Sequence, residues 1–142
     1  EFKVVMAPGP DEIKEASKIN ALCILDHGTA LDISQLAALI KDSSFVVAND
    51  TGPAHMAAHL GSKGIALFGA HTTAHKVSIE RENFKAIQVS DLTKLSAPKV
   101  FEKLRLSLDW DLKINTIYNL VWHNIYRCNY IDTNQRLRFN LN

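Results

Sequence analysis

The sequence predicts an α/β fold, a parallel sheet with helices on both faces. Three observations carry that expectation. Apolar runs without polar alternation recur along the chain, Phe45-Val46-Val47-Ala48 and Gly64-Ile65-Ala66-Leu67-Phe68 being the clearest, and strands apolar on both faces belong to sheets covered on both sides. Segments with apolar residues at intervals of three and four separate these runs, which is the helical period. The two kinds alternate as β-α-β-α-β-α-β, the order a parallel sheet uses because each return to the same end needs a crossover.

The elements follow in order. Phe2-Lys3-Val4-Val5-Met6 already reads as a strand with no lead-in, so the sequence is expected to begin inside something larger. Ala7-Pro8-Gly9-Pro10 is a turn signal. Asp11 to Ile19, with Ile13, Ala16 and Ile19 at helical spacing, reads as the first helix. Ala21 to Leu25, closed by Asp26-His27-Gly28, is expected to be a buried strand. Asp32 stands as an acidic N-cap before Ile33, Leu36, Ala37, Leu39 and Ile40, the second helix. Phe45 to Ala48 is the third strand, Pro53 to Leu60 the third helix, stopped by Gly61, and Gly64 to Phe68 the fourth strand. Phe84 to Val89 adds a strand and Ala97 to Leu106 a helix. From Trp110 onward, Ile114, Ile117, Tyr118, Val121, Trp122 and Ile125 form a helical stripe. Residues 110–128 are therefore expected to be a helix and 129–142 an end without determined structure. This divides the chain into a sheet-bearing domain over residues 1–108 and a C-terminal helix and tail over 109–142.

Composition narrows the class of function. With 142 residues and 46% apolar side chains, the chain suits one compact domain plus a tail, since domains commonly run to about 100–200 residues. Its 16 basic and 15 acidic residues leave a net charge of +1, and they are scattered rather than gathered into a stripe, which argues against nucleic acid as a partner. Cys23 and Cys128 form neither a disulfide framework nor the paired spacing of a zinc ribbon, so a reducing cytoplasm is the expected setting. No apolar stretch approaches the ~18–20 residues needed to span a bilayer, and no charged-then-apolar leader opens the chain.

In an open parallel sheet, ligands bind beyond the carboxyl ends of the strands, which directs attention to the loops at 7–11, 26–31, 49–54 and 69–76. One stands out. Asn49-Asp50-Thr51-Gly52-Pro53-Ala54-His55 leaves a buried strand and enters a helix within a few residues. Gly52 lets the backbone come close to a ligand, and Pro53 has a φ already set for the first helical turn. Free N–H groups and the positive end of the helix dipole then suit phosphate oxygens, with the Thr51 hydroxyl as a further donor. The plainer alternative is that Asp50 or Thr51 only caps the helix while Gly52 shapes the turn.

The stretch FVVANDTGPAHMAAHLGSKGIALFGAHTT resembles the donor-site signature of family 9 glycosyltransferases, the ADP-heptose:lipopolysaccharide heptosyltransferases. There a strand is followed by N-D-[ST]-G-x-x-H-x-A-A and then by an apolar strand ending in L-F-G. With VVMAPGPDE and LDISQLAALIKDSS on its N-terminal side, the resemblance covers about residues 3–106. It implies a Rossmann-like domain, the C-terminal, donor-binding half of a GT-B fold, cytoplasmic or peripheral at the inner membrane. The acceptor-binding half, with the catalytic base, has no counterpart in this sequence and would be an N-terminal half or partner domain. The implied partners are a nucleotide-sugar donor, ADP-heptose, and the lipopolysaccharide core as acceptor; the implied reaction is an inverting transfer that needs no metal or cofactor. Carried over by position, Asp50 contacts the donor sugar, Thr51 and Gly52 hold the diphosphate, and His55 faces the same crevice. Asp11 or Glu12 lies where the family often places an acidic residue near the ribose, and the two stay open. No catalytic residue is assigned within the chain. The sequence departs from the family after Leu67-Phe68-Gly69, where Ala70-His71-Thr72-Thr73-Ala74-His75-Lys76 replaces a proline-bearing loop.

Other chemistries find less support. His55 and His59 lie four apart, as do His71 and His75, but a hydrolytic zinc helix carries Glu directly after its first His, where Met56 stands here. No G-x-S-x-G elbow, Walker lysine loop or G-x-G-x-x-G occurs. The aromatic stripe of Trp110, Tyr118, Trp122 and Tyr126 has few basic flanks for a membrane surface, so packing on its own domain or a partner is expected. The alternative to an enzyme is a non-catalytic remnant or split-gene fragment that binds only a nucleotide or a protein.

Overall fold

A computed structural model describes residues 3–107 and, as backbone, 119–123. Five strands come in chain order, β1 (Lys3–Met6), β2 (Leu22–Cys23), β3 (Phe45–Asn49), β4 (Gly64–Phe68) and β5 (Phe84–Gln88), and β6 (Asn119–His123) completes the sheet. The helices are α1 (Ile13–Ala16), α2 (Ile33–Asp42), α3 (Gly52–His59), α4 (Ala74–Val77) and α5 (Ala97–Ser107), with short 3-10 turns at Pro10–Glu12 and Leu92–Lys94. The strand order is β2-β1-β6-β3-β4-β5 and every pairing is parallel. The expected α/β architecture, a Rossmann-like parallel sheet with helices on both faces, is the one observed.

Strands β3 and β4 show why. Alternate residues point to opposite faces, and here both sets are apolar. Val46, Ala48, Ala66 and Phe68 pack with Ile40 of α2 and with Ala54, Ala57 and Ala58 of α3. Phe45, Val47, Ile65 and Leu67 pack on the other side with Leu95 and with Leu104 of α5. Phe45, Phe68 and Phe84 are fully buried, each contributing about 1.5–3 kcal/mol relative to an exposed ring. The three buried alanines let α3 lie close to the sheet, which fixes where its N-terminus opens.

Helix ends follow local chemistry. The Asp32 carboxylate accepts the N–H groups of Ser34 and Gln35 at 2.8 Å, and the Gln35 side chain returns a bond to the Asp32 N–H at 2.9 Å, a reciprocal cap. At the end of α3, Gly61 has φ +74°; its N–H reaches the Ala58 carbonyl and the Ser62 N–H the Ala57 carbonyl. That paired pattern needs a left-handed residue, which glycine supplies without strain.

Three elements differ from the sequence-based expectation. The first helix is a 3-10 turn followed by a single α turn. The run Ala21 to Leu25, expected to be a buried strand, pairs only at Leu22 and Cys23 and forms the sheet's edge, where Leu22 is 50% exposed; an apolar run announces a strand but not its place in the order. Residues 119–123, expected inside a helix of a C-terminal tail, form β6, paired with β1 on one side and β3 on the other. Leu120-Val121-Trp122 is a short apolar run of good strand formers, and so short a run does not distinguish the two periods. The remainder of the expected helix, residues 110–118 and 124–128, and the end at 129–142 lie outside the described residues. Among the described residues, no helix is long and apolar enough to cross a membrane.

Candidate functional site

The chain runs outward from β1 to β2 in one direction and from β3 through β4 to β5 in the other. Loops after β3 and β4 thus emerge side by side at the carboxyl end of the sheet, where open α/β sheets bind their ligands. The loop after β3 is anchored by the Asp50 N–H, which donates to the Leu67 carbonyl of β4 at 3.0 Å. Thr51 then stands as the extended N-cap of α3, with φ −146° and ψ 173°.

Its side chain does not cap the helix. The Thr51 hydroxyl turns back to donate to the Asn49 carbonyl at 3.3 Å. Nor does Asp50, whose carboxylate faces sideways toward two imidazoles: Oδ1 lies 3.3 Å from Nε2 of His55 and Oδ2 lies 3.9 Å from Nε2 of His71. The Ala54 and His55 N–H groups fold back on the Thr51 carbonyl, and Pro53 has none. The N–H groups of Thr51 and Gly52 therefore have no acceptor among the described residues. These two backbone donors lie at the positive end of the α3 dipole. Apart from its chain neighbours and its own helix backbone, no atom of the described residues lies within 4 Å of where a Cβ on Gly52 would stand. The plainer reading, in which Asp50 or Thr51 serves as an ordinary cap, does not describe this turn.

Asp50 is only 10% exposed at its side chain. Its link to His55 follows from sequence spacing, because a residue just before a helix and one in the first turn face each other. His71 comes from the loop after β4 and is held differently. The Gln88 side-chain amide, at the end of β5, donates to the carbonyls of Gly69 and Thr72. These contacts brace the loop on both sides of His71, while Thr73 caps α4 by accepting the Lys76 N–H.

The sequence model of glycosyltransferase family 9 (heptosyltransferase) matches residues 3–104. The chain belongs to glycosyltransferase family 9. It is 30% identical over 114 residues to the lipopolysaccharide core heptosyltransferase OpsX of Haemophilus influenzae, an alignment covering 76% of this chain and 31% of that protein. The chain thus spans about a third of the length of that relative. No solved structure gives a significant match.

In this family 9 chain, the residues expected at the site are distributed as follows. Asp50, Thr51, Gly52 and His55 lie together at the N-terminus of α3. Asp11 and Glu12 lie in the 3-10 turn after β1, beside a hollow of about 250 Å³ whose walls include Ala7, Pro10, Leu31 and Leu36. Glu12 is committed: its Oε2 accepts the Gly9 N–H at 2.9 Å. Asp11 is exposed. The contact of His71 with Asp50 and the bracing by Gln88 were not foreseen; the departure of the 70–76 loop from the family pattern was the available signal. The four-residue histidine spacings do not converge. His59 donates its ring N–H to the His55 carbonyl at 2.8 Å, and His71 precedes α4 whereas His75 lies within it. Among the described residues, no three His, Cys, Asp or Glu side chains are grouped to hold a metal ion. Burial pushes the Cys23 thiol above its ordinary pKa, which disfavours the reactive thiolate. Cys128 lies outside the described residues.

Proposed function

We propose that this chain is the donor-binding part of a heptosyltransferase, which takes a nucleoside-diphosphate sugar, ADP-heptose, and gives up the sugar to the lipopolysaccharide core with inversion. One observation carries the reading: the N–H groups of Thr51 and Gly52, at the start of a helix, have no acceptor among the described residues and stand beside a carboxylate that is 10% exposed and already aligned by His55, in a family 9 chain. The two N–H groups hold the diphosphate, and their fixed dipoles stabilise the negative charge that grows on it as the sugar departs. Asp50 accepts hydroxyl groups of the sugar, with His55 keeping its carboxylate in place. Since Glu12 caps its own turn, Asp11 is the acidic residue for the ribose. The acceptor site and the base that deprotonates the attacking hydroxyl belong to an N-terminal half or partner domain, and the whole enzyme works in the cytoplasm, peripheral at the inner membrane.

Calorimetric titration of the chain with ADP, ADP-heptose and a UDP-sugar tests this. Saturable binding of the two adenine ligands, lost in Asp50→Ala, is expected. Equal affinity in Asp50→Ala removes the donor-site assignment, and preference for the UDP-sugar removes the nucleotide.

A further inference from the structure

The Asp50 carboxylate poses an electrostatic problem for the proposed ligand. A diphosphate docked on the N–H groups of Thr51 and Gly52 sits next to a carboxylate of the same sign that is nine-tenths buried and so poorly screened by solvent. Among the described residues, no Lys or Arg pairs with Asp50; its partners are two imidazoles, one on each oxygen. His55 is part of α3 and only 35% exposed at its side chain, whereas the His71 side chain is 68% exposed at the rim. Its 3.9 Å separation from Oδ2 is too long for a hydrogen bond, so moving away breaks none there.

The backbone beneath His71 is built to stay. Gln88 holds the carbonyls of Gly69 and Thr72, and Gly69 is buried, with His71 Nδ1 3.3 Å from where a Cβ would stand. Glycine at 69 leaves room for the ring to lie against the loop. The result is a braced stem carrying an exposed imidazole tip beside the Asp50 carboxylate, the residue next to Thr51 in the chain.

Resting on the donor-site reading above, we propose that His71 is a diphosphate ligand: its Nε2–H turns from Asp50 Oδ2 to a phosphate oxygen when the nucleotide binds. Gln88 is the positioning residue that presents it. The contact recognises phosphate and not the nucleoside, so its effect must separate the two.

The test uses the full chain and its His71→Ala and His71→Gln variants, titrated with ADP and with adenosine, alongside nitrogen–proton spectra of the histidine rings. A charge-assisted bond of this kind is worth about tenfold in affinity or more. His71→Ala is expected to weaken ADP by about that factor and leave adenosine unchanged. His71→Gln, which keeps a side-chain N–H donor, is expected to recover most of the loss, and the His71 ring signals should move with ADP but not with adenosine. ADP binding equal in wild type and His71→Ala, or a parallel loss of ADP and adenosine, overturns the role of His71 and leaves the donor site standing. Absence of ADP binding in the wild type overturns both.

Discussion

Gly52 offers the sharpest separation of folding from ligand binding. It is the first residue of α3 and precedes Pro53. A residue with a Cβ resists the helical conformation immediately before proline, at a cost of order 1 kcal/mol. Replacing a helical glycine by alanine returns about 0.5–1 kcal/mol. Apart from its chain neighbours and its own helix backbone, no atom of the described residues stands within 4 Å of the new methyl, so these two effects nearly cancel and Gly52→Ala should change stability by less than about 1 kcal/mol. In a Pro53→Ala background the pre-proline clash is gone, and the same change should stabilise by about 0.5–1 kcal/mol. Binding behaves otherwise. On the proposed diphosphate site the added methyl would crowd the Gly52 N–H, and losing one charge-assisted bond there costs about 1.5–3 kcal/mol, or about 10- to 150-fold in ADP affinity. Thermal melts and calorimetry on the four-member set read both quantities. If Gly52→Ala with Pro53→Ala binds ADP as tightly as Pro53→Ala alone, glycine is present only to let a proline follow, and its role in ligand approach is refuted.

Gly64→Ala should show the opposite split. A Cβ there would stand 2.6 Å from the Val46 carbonyl oxygen and 2.8 Å from Cδ2 of Phe84, so the strand must shift, at about 1–3 kcal/mol; a lowered melting temperature with unchanged ADP affinity in the folded fraction is expected. Asp91 accepts the N–H and hydroxyl of Thr93 at 2.9 and 2.6 Å, and these bonds, with a smaller contribution from Lys94, hold its pKa below the ordinary value. The unfolded chain then binds the proton more readily, so the stability advantage of wild type over Asp91→Asn should be full above the ordinary carboxyl pKa and disappear as pH falls through the lowered one; a difference that persists in acid contradicts this. Ending the chain at Ser107 removes β6, which joins β1 to β3, and should abolish cooperative melting, whereas an unchanged melting temperature would show that the strand is dispensable.

What the sequence made legible, and what it hid, divides along the distance over which each feature is determined. Strands β3 and β4 were readable because both of their faces are buried, so Phe45 to Ala48 and Gly64 to Phe68 carry no polar side chain and the pattern needs no knowledge of neighbours. The cap at Asp32 and the stop at Gly61 were readable because each satisfies backbone groups within a few residues. The edge position of β2 was not, because its place at the end of the strand order is set by topology rather than by any local signal. Strand β6 was hidden for a related reason. Its place between β1 and β3 is set by two strands more than 70 residues earlier in the chain, and its own apolar run fits either period.

The site repeats that division at the scale of single side chains. Asp50 and His55 are five residues apart and the helix that follows Thr51 brings them together, so their association is written in the N-D-T-G-P-A-H string itself. His71 meets Asp50 only because β3 and β4 are adjacent and parallel, which places the loops after both strands at the same end of the sheet. A loop that departs from its family's pattern announces that something has changed; which atom it now faces is decided by the sheet. This difference in origin makes the two imidazoles separable by mutation: a change at His55 acts from within α3, whereas His71 can be altered on a stem whose backbone is held independently by Gln88.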